Sequence, residues 1–471
     1  MNIFDSIEKQ VLEKIKPKPE EYELLHSTFH RIKDTLEKIL NENNVDAKVT
    51  LQGSVAHDTW LSGDHDLDVF VLFNKKYSVN ELRNRYFKLL LEGAKRLGNI
   101  ELRYAQHPYV RVLINDVEAD IVPAYELDDP SEIRFAVDRT PFHTRYVNSK
   151  LNDKLRDQIR LLKKFMKNIG VYGAEIKVRG FSGYVVELLI IVYKSFRETL
   201  ERISKQKPPV YIKTIDDRDF RKVIRDLKRK YPDSVVFIPD PVDPFRNAGA
   251  NISIESLSRF AVASHCYLKN PSTKYFFKPA IQIDQNNMYS MVKNRCLVSI
   301  EISLEEKLPP DILWGELYRL ADRATKVLLN NDFNVIDWRV WSDEVEKAII
   351  VLEVDHCVKE NPRIHRGPEY WYRERVLDYI KKHIERGSIG PWIGRDGTLT
   401  TLGKRKFREV DQLLIERSWE YMVTPHFKNK KPVVRTVDEK LIKEYCRDKG
   451  VCEWLLEVIL KRPYWMLECI G

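Results

Sequence analysis

The sequence predicts an α+β chain of several domains. Helical and strand patterns are interleaved over residues 1–145, helical patterns dominate 146–268, and a β-α-β-β order followed by a helical tail fills 269–471. These ranges are read as a catalytic domain, a helical central domain and a C-terminal α+β body of ferredoxin-like or RNA-recognition type. A chain of 471 residues is long enough for two to four domains with proper cores.

Each element follows from local pattern. Leu25, Phe29, Ile32, Leu36 and Ile39 are spaced as one face of a helix over residues 20–43. Lys48 to Leu51 reads as a strand that leads into Gly53-Ser54, and an apolar strand opens at Asp66. Ser78 and Glu81 have the spacing of a capping box, starting a helix that runs to about Arg96. Tyr109 to Ile114 and Val117 to Val122 alternate on either side of Asn115-Asp116, which is a hairpin pattern. In its second arm Val117, Ala119 and Ile121 share one face, and Glu118 and Asp120 share the other. Glu118, nearer the turn, is expected in solvent.

Leu155, Ile159, Leu162, Phe165 and Ile169 form the apolar stripe of a helix over about 150–169, ended by Gly170. Arg156, Arg160, Lys163, Lys164 and Lys167 occupy much of the rest, and most of them read as a solvated basic face. Ser182 is placed to cap the apolar helix that includes Tyr184 to Tyr193, a core element. Residues 211–231 carry Arg218, Arg221, Lys222, Arg225, Lys228, Arg229 and Lys230, the densest positive run. That helix fits a phosphate backbone or plain solvent equally well. Val235 to Ile238 is a short buried strand. Pro239, Pro241 and Pro244 then stiffen a loop that delivers Arg246, whose plainer role is an ion pair with Asp240 or Asp243.

Leu297 to Ser303, the stripe Leu313, Leu317, Leu320, Ala324 and Val327, then Phe333 to Val340 and Ala348 to Val354 give the β-α-β-β unit. Arg363, His365, Arg366, Tyr370, Trp371, Tyr372, Arg373 and Arg375 mix cations with aromatics. This mixture suits stacking and phosphate contact with RNA, or helix packing under snorkelling arginines. Gly394-Arg395-Asp396-Gly397 reads as a hairpin turn without chemistry. The tail from about 437 is helical, with Trp454 and Pro463-Tyr464-Trp465 as packing residues.

The chemistry sits at Gly53-Ser54 and Asp66-Leu67-Asp68. Side chains alternate along a strand, so Asp66 and Asp68 point the same way. Two adjacent carboxylates repel, and a divalent cation relieves the repulsion. Hard oxygen ligands at this spacing suit Mg²⁺ shared with phosphate oxygens. A lone Asp-x-Asp is more often a polar strand edge. The glycine upstream, which lets backbone approach a phosphate, and the Ser54 hydroxyl shift the balance. Asp120, an acid in an otherwise apolar strand, needs a partner and is placed to join the other two.

These residues resemble the signature of the nucleotidyltransferase superfamily that includes DNA polymerase β: Gly-Ser, carboxylate-x-carboxylate, and a later strand carboxylate. Asp138-Arg139-Thr140-Pro141-Phe142-His143, Tyr172-Gly173-Ala174-Glu175, Lys177 to Tyr184 and Asp240-Pro241-Val242-Asp243 with Arg246-Asn247-Ala248 look like the archaeal, class I CCA-adding enzymes. The likeness runs from about residue 20 to about 420 and is most specific through about 260. It implies a polymerase β-like catalytic domain and template-independent building or repair of the tRNA 3′-terminal CCA from CTP and ATP. Pyrophosphate leaves, and two Mg²⁺ ions are held by Asp66, Asp68 and Asp120. By resemblance Gly53, Ser54, His57, Thr140, His143, Lys163 and Tyr172 contact triphosphate and sugar, and Arg246 helps read the base. Relatives often carry arginine at the position of His57, which weakens a phosphate contact there. The implied partner is the acceptor arm and 3′ end of tRNA, and a homodimer is left open. The rival readings are a poly(A) polymerase-like terminal transferase, a transferase that places AMP on a small molecule or protein, and a non-catalytic RNA binder.

Composition agrees without deciding. Hydrophobic content of 43% with 32% charged residues is that of a globular protein. A net charge of +9 favours a polyanionic partner. Charge-rich composition is compatible with life at high temperature. Met1-Asn2-Ile3-Phe4-Asp5 shows no basic and apolar leader, and Tyr184 to Tyr193 is too short to cross a bilayer, so a cytoplasmic chain without a membrane is expected. The six cysteines show no Cys-x-x-Cys pair and are expected as free thiols, with a Cys446–Cys452 disulfide as the less favoured alternative.

Overall fold

The computed structural model describes residues 2–104, 108–280 and 283–470, apart from the side chains of residues 104, 217 and 218. Arg218 of the basic run therefore lies outside the described side chains. The chain forms two compact units, Met1–Ala280 with Pro463–Gly471, and Ile281–Arg462. Among the described residues no helix is long and apolar enough to cross a membrane.

The first unit contains a five-stranded sheet built from β1 (Ala47–Gln52), β2 (Asp66–Asn74), β3 (Asn99–Tyr104), β4 (Pro108–Ile114) and β5 (Val117–Glu126), in the order β1-β2-β5-β4-β3. Only β2 and β5 run parallel. Helix Pro19–Glu42 lays Leu25, Ile32 and Leu36 on the core that includes Val69, Val71, Val110 and Ile121. The Ser78–Glu81 capping box forms, and the helical stretch it opens runs to Leu97 with a π-turn at Leu82–Tyr86. Asn115 and Asp116 both have positive φ, the geometry of a tight two-residue hairpin turn.

A helical layer completes this unit. Helices Thr140–Lys150, Asp153–Asn168, Gly183–Tyr193, Phe196–Ser204 and Ile254–Lys269 enclose a second core centred on Ile159, Leu162, Phe165, Leu188 and Phe260. Arg160 departs from the expected solvated face. It is 1% exposed, and its guanidinium donates to the Trp60 carbonyl, Asp157, Tyr22 and Asp58. Lys163 is buried as well. Helix Asp217–Lys230 packs Val223 and Leu227 on Phe237. Trp465 is buried in the helical core, and Cys469 is bonded to Cys266 there.

In the second unit, strands Val433–Thr436, Cys296–Ser303, Lys347–Val354 and Val335–Ser342 pair antiparallel in that order. Val298, Ile300, Ile350 and Leu352 face helix Pro310–Leu329, while Leu297, Ile349 and Val351 face helices Glu439–Tyr445 and Lys449–Leu460. The two central strands, Cys296–Ser303 and Lys347–Val354, are buried on both faces, which is why they read as nearly continuous apolar runs. A second sheet pairs Arg363–Glu369, Thr398–Gly403 and Ile389–Ile393, with Gly394 to Gly397 as the expected turn.

The cysteine expectation is overturned. All six pair, as Cys266–Cys469, Cys296–Cys357 and Cys446–Cys452. Two of these pairs are distant in sequence, so spacing could not reveal them. Disulfides are ordinary in oxidising compartments and in intracellular proteins of hyperthermophiles, and rare in other cytosols.

Candidate active site

The carboxylates converge through strand register. Asp66 is the Cα partner of Glu118 and Asp68 the partner of Asp120 across the parallel β2–β5 pair. Burial and the charges of Asp120 and Asp66 push the Asp68 carboxyl up to about 6. Asp66 is raised too, by burial and then by Glu118 and Asp64. Three acids therefore crowd the β2–β5 pair, their like charges only partly relieved.

Gly53 closes the other side. It has φ +67, and a Cβ there would lie 1.9 Å from Asp68 Oδ2. Only glycine allows this turn and this approach. The short helix Gly53–His57 follows, and the Thr59 amide donates to the Ser54 carbonyl at 2.9 Å.

Arg111 was not foreseen. It is the Cα partner of Asp120, and its Nε and Nη2 donate to Asp120 Oδ1 and Oδ2 at 2.7 and 2.8 Å. Nη1 donates to Glu118 Oε2 at 2.7 Å, so Glu118 is exposed but paired. Counting back from a two-residue turn at Asn115-Asp116 sets Arg111 opposite Asp120, so the hairpin register held this signal. Among the described residues no group of three or more His, Cys, Asp or Glu is arranged to hold a metal ion as it stands. The donor chemistry still fits a divalent cation: hard carboxylate oxygens crowded beside a glycine cradle, with one acid already using a guanidinium as its counter-charge.

A second missed residue is Glu187. It lies in the middle of the buried helix Gly183–Tyr193 and is itself 3% exposed. His57 Nδ1 lies 3.0 Å from Glu187 Oε2, Thr59 Oγ1 donates to Oε1 at 2.6 Å, and Lys163 Nζ is 3.7 Å from Oε1. Lys163 Nζ donates to Thr59 Oγ1 at 3.0 Å. Burial alone would raise the Glu187 pKa. His57, then Lys163 and Thr59, outweigh it and hold the carboxyl at about 2. Burial lowers the Lys163 ammonium. His57 Nε2 also meets Thr144 Oγ1 at 3.1 Å, so both ring nitrogens are engaged inside the protein and the expected phosphate contact has no free atom there. The one sequence signal was an acid inside an apolar helix. Tyr172, near the Asp64, Asp68 and Glu187 charges, is raised chiefly by burial, and the Lys167 ammonium lies over its ring.

Thr140 opens helix Thr140–Lys150. Buried Asp138 fixes its entry by accepting from the Tyr125, Arg134 and Phe135 amides. From this helix His143 Nε2 reaches Asp240 Oδ2 at 2.8 Å. Arg246 Nη1 donates to the same oxygen at 2.8 Å, which is the ion pair weighed in the sequence. The loop that delivers Arg246 is stapled by buried Asn247, which accepts from the Ile238 and Gly249 amides.

In the second unit, the aromatics Tyr370, Trp371 and Tyr372 are 72%, 60% and 44% exposed. Helix Arg373–Glu385 has no buried residue. A cavity of about 630 Å³ is lined by Arg363, Lys382, Arg386, Lys404 and Lys406, with no carboxylate in its wall.

Three family models match in the order of these layers: a nucleotidyltransferase domain over residues 33–143, a tRNA nucleotidyltransferase second domain over 157–277, and a CCA-adding enzyme C-terminal domain over 293–429. The CCA-adding enzyme of Sulfurisphaera tokodaii is 39% identical over 404 residues, 85% of this chain and 89% of that protein. This chain belongs to the CCA-adding enzyme family. The CCA-adding enzymes of Saccharolobus shibatae and Sulfolobus acidocaldarius are 38% and 35% identical, over 85% and 87% of this chain and 89% and 90% of theirs. A solved cytoplasmic RNA terminal U-transferase aligns with 60% of this chain and 100% of its own at 15% identity and a TM-score of 0.46. As a CCA-adding enzyme the chain is a tRNA nucleotidyltransferase with a polymerase β-like catalytic domain, a helical central domain and the family's C-terminal domain.

Proposed function

We propose that this CCA-adding enzyme extends the 3′ end of tRNA with CTP and ATP at the β2–β5 pair, with Asp66, Asp68 and Asp120 as the catalytic carboxylates. The observation that carries this is the register that sets Asp68 beside Asp120, against a glycine with no room for a Cβ. Asp66 and Asp68 would hold Mg²⁺, with Asp120 joining once Arg111 releases an oxygen. The bound cations supply charge for the triphosphate and a lower pKa for the attacking hydroxyl. The chain's own residues do the positioning. Gly53 leaves the backbone open to a phosphate, and Ser54 donates its hydroxyl. Lys163 and Tyr172, both coupled to the Asp68 charge, would contact the triphosphate. Thr140 and His143 hold the triphosphate and sugar side, and His57 anchors the loop through Glu187 and Thr144.

Arg246 keeps one nitrogen on Asp240 and offers the rest of its fork. Such a fork donates to cytosine O2 and N3 or to adenine N1, and has no acceptor for the ring N–H of uracil or guanine. The 1–145 and 146–268 segments form the nucleotide site, and 269–471 the tRNA-binding body. The acid-free basic cavity and the exposed aromatics of the second unit support RNA contact there. Whether the enzyme pairs as a homodimer is read from its mass in solution.

The test is incubation of labelled CTP or ATP with tRNAs ending at each stage of the CCA end, with Mg²⁺ present. Addition should stop after CCA, whereas a homopolymer tail would support the poly(A) polymerase-like alternative. Asp66→Ala and Asp120→Ala should abolish addition and leave tRNA binding largely intact. Near-normal addition by either variant removes it from the catalytic set.

A further inference from the structure

Asp240 is a buried acid for which the reaction has no direct use. It is 0% exposed, yet all of its lone-pair directions are taken. Oδ1 accepts from the Tyr184 hydroxyl and the Val242 amide, both at 3.0 Å. Oδ2 meets His143 Nε2 and Arg246 Nη1, both at 2.8 Å. A carboxylate so saturated is fixed in place and holds its partners in turn. His143, then the Val242 amide and Arg246, overcome the cost of burial and keep the Asp240 pKa near 2, so it stays ionised.

Each partner is left with one orientation. His143 stacks on Tyr184 with ring centres 3.9 Å apart, and with Nε2 committed its Nδ1 is the atom left for another ligand. Arg246 is 37% exposed along its side chain and commits only Nη1. The backbone of the loop is closed on the same residue, because the Asp240 amide donates to the Arg246 carbonyl at 3.0 Å. One carboxylate oxygen thus aims an imidazole and a guanidinium that come from different elements.

We infer that Asp240 is a specificity-positioning residue, which locks the Arg246 fork and the His143 ring as one unit so that base choice and the hold on sugar and triphosphate respond to the same nucleotide. This rests on the reading of Arg246 as base reader. A structural ion pair would steady the loop without coupling two functions.

The experiment measures kcat/KM for CTP, ATP and UTP on tRNA lacking its terminal nucleotides, together with the melting temperature of each variant. Asp240→Asn keeps the shape and removes the charge. It should lower the CTP-over-UTP preference by about tenfold or more, the usual scale for a charged hydrogen bond. In an Arg246→Ala background the same change should cost no further selectivity. If Arg246→Ala leaves selection intact, the base-reader assignment fails. If Arg246→Ala loosens selection and folded Asp240→Asn does not, Asp240 alone is rejected. Should Asp240→Asn not fold, the cycle of His143→Ala with Arg246→Ala decides. Coupled losses of selectivity support the shared anchor, and additive losses overturn it.

Discussion

Asp68 shows how one residue trades stability for chemistry. Its carboxyl is crowded by Asp120 and Asp66 and partly relieved by His57 and Lys163. In metal-free protein near pH 7 it is ionised, and its burial together with that repulsion weighs on the folded state. Asp68→Asn should therefore raise metal-free stability by an amount on the order of 1–3 kcal/mol while abolishing nucleotide addition. The gain in melting temperature that Mg²⁺ gives the wild type should shrink in the variant. Thermal unfolding with and without Mg²⁺ measures both. An Asp68→Asn protein less stable than wild type without metal would mean the carboxylate is already satisfied internally. The Asp-x-Asp spacing was legible in the sequence because strand alternation is local. The state of Asp120 was not, since it depends on Arg111 across a hairpin whose register had to be counted rather than seen.

Elements decide which of these residues meet. The capping box at Ser78, the hairpin at Asn115-Asp116 and the stripe Leu155 to Ile169 could be read from the sequence, because each is a pattern within a few turns of chain. The parallel pairing of β2 with β5 joins segments about fifty residues apart, and no local pattern specifies it. The same holds for Glu187, which gathers His57, Thr59 and Lys163 from two other segments. Removing it strands buried partners, so Glu187→Ala should destabilise the protein by about 3–5 kcal/mol and depress nucleotide addition with it. The pH dependence has a definite sign. The Glu187 pKa is depressed from 4.5 to about 2 on folding, so its contribution is present above about 4.5 and lost as pH falls toward about 2. Acid unfolding followed by circular dichroism should show that component in wild type and not in Glu187→Gln. Identical acid profiles would mean that His57 and Lys163 do not stabilise the ionised acid.

At the scale of the whole molecule, the disulfides carry the largest departure from what the sequence suggested. Cys266 and Cys469 are separated by 203 residues, Cys296 and Cys357 by 61, and Cys446 and Cys452 by 6. A cross-link stabilises mainly by restricting the unfolded chain, so its effect grows with the loop it closes. Loop entropy alone gives upper values of about 5, 4 and 2 kcal/mol in that order. The first bond also ties the last residues to helix Ile254–Lys269 in the unit that holds the candidate active site. Full reduction should lower the melting temperature. Among single-pair serine variants, Cys266→Ser with Cys469→Ser should cost the most and Cys446→Ser with Cys452→Ser the least. Mass spectrometry of the alkylated protein establishes which bonds form, and thermal unfolding of each variant ranks them. A largest loss from the Cys446–Cys452 pair would mean that native packing around the bond, rather than the freedom of the unfolded chain, sets its value.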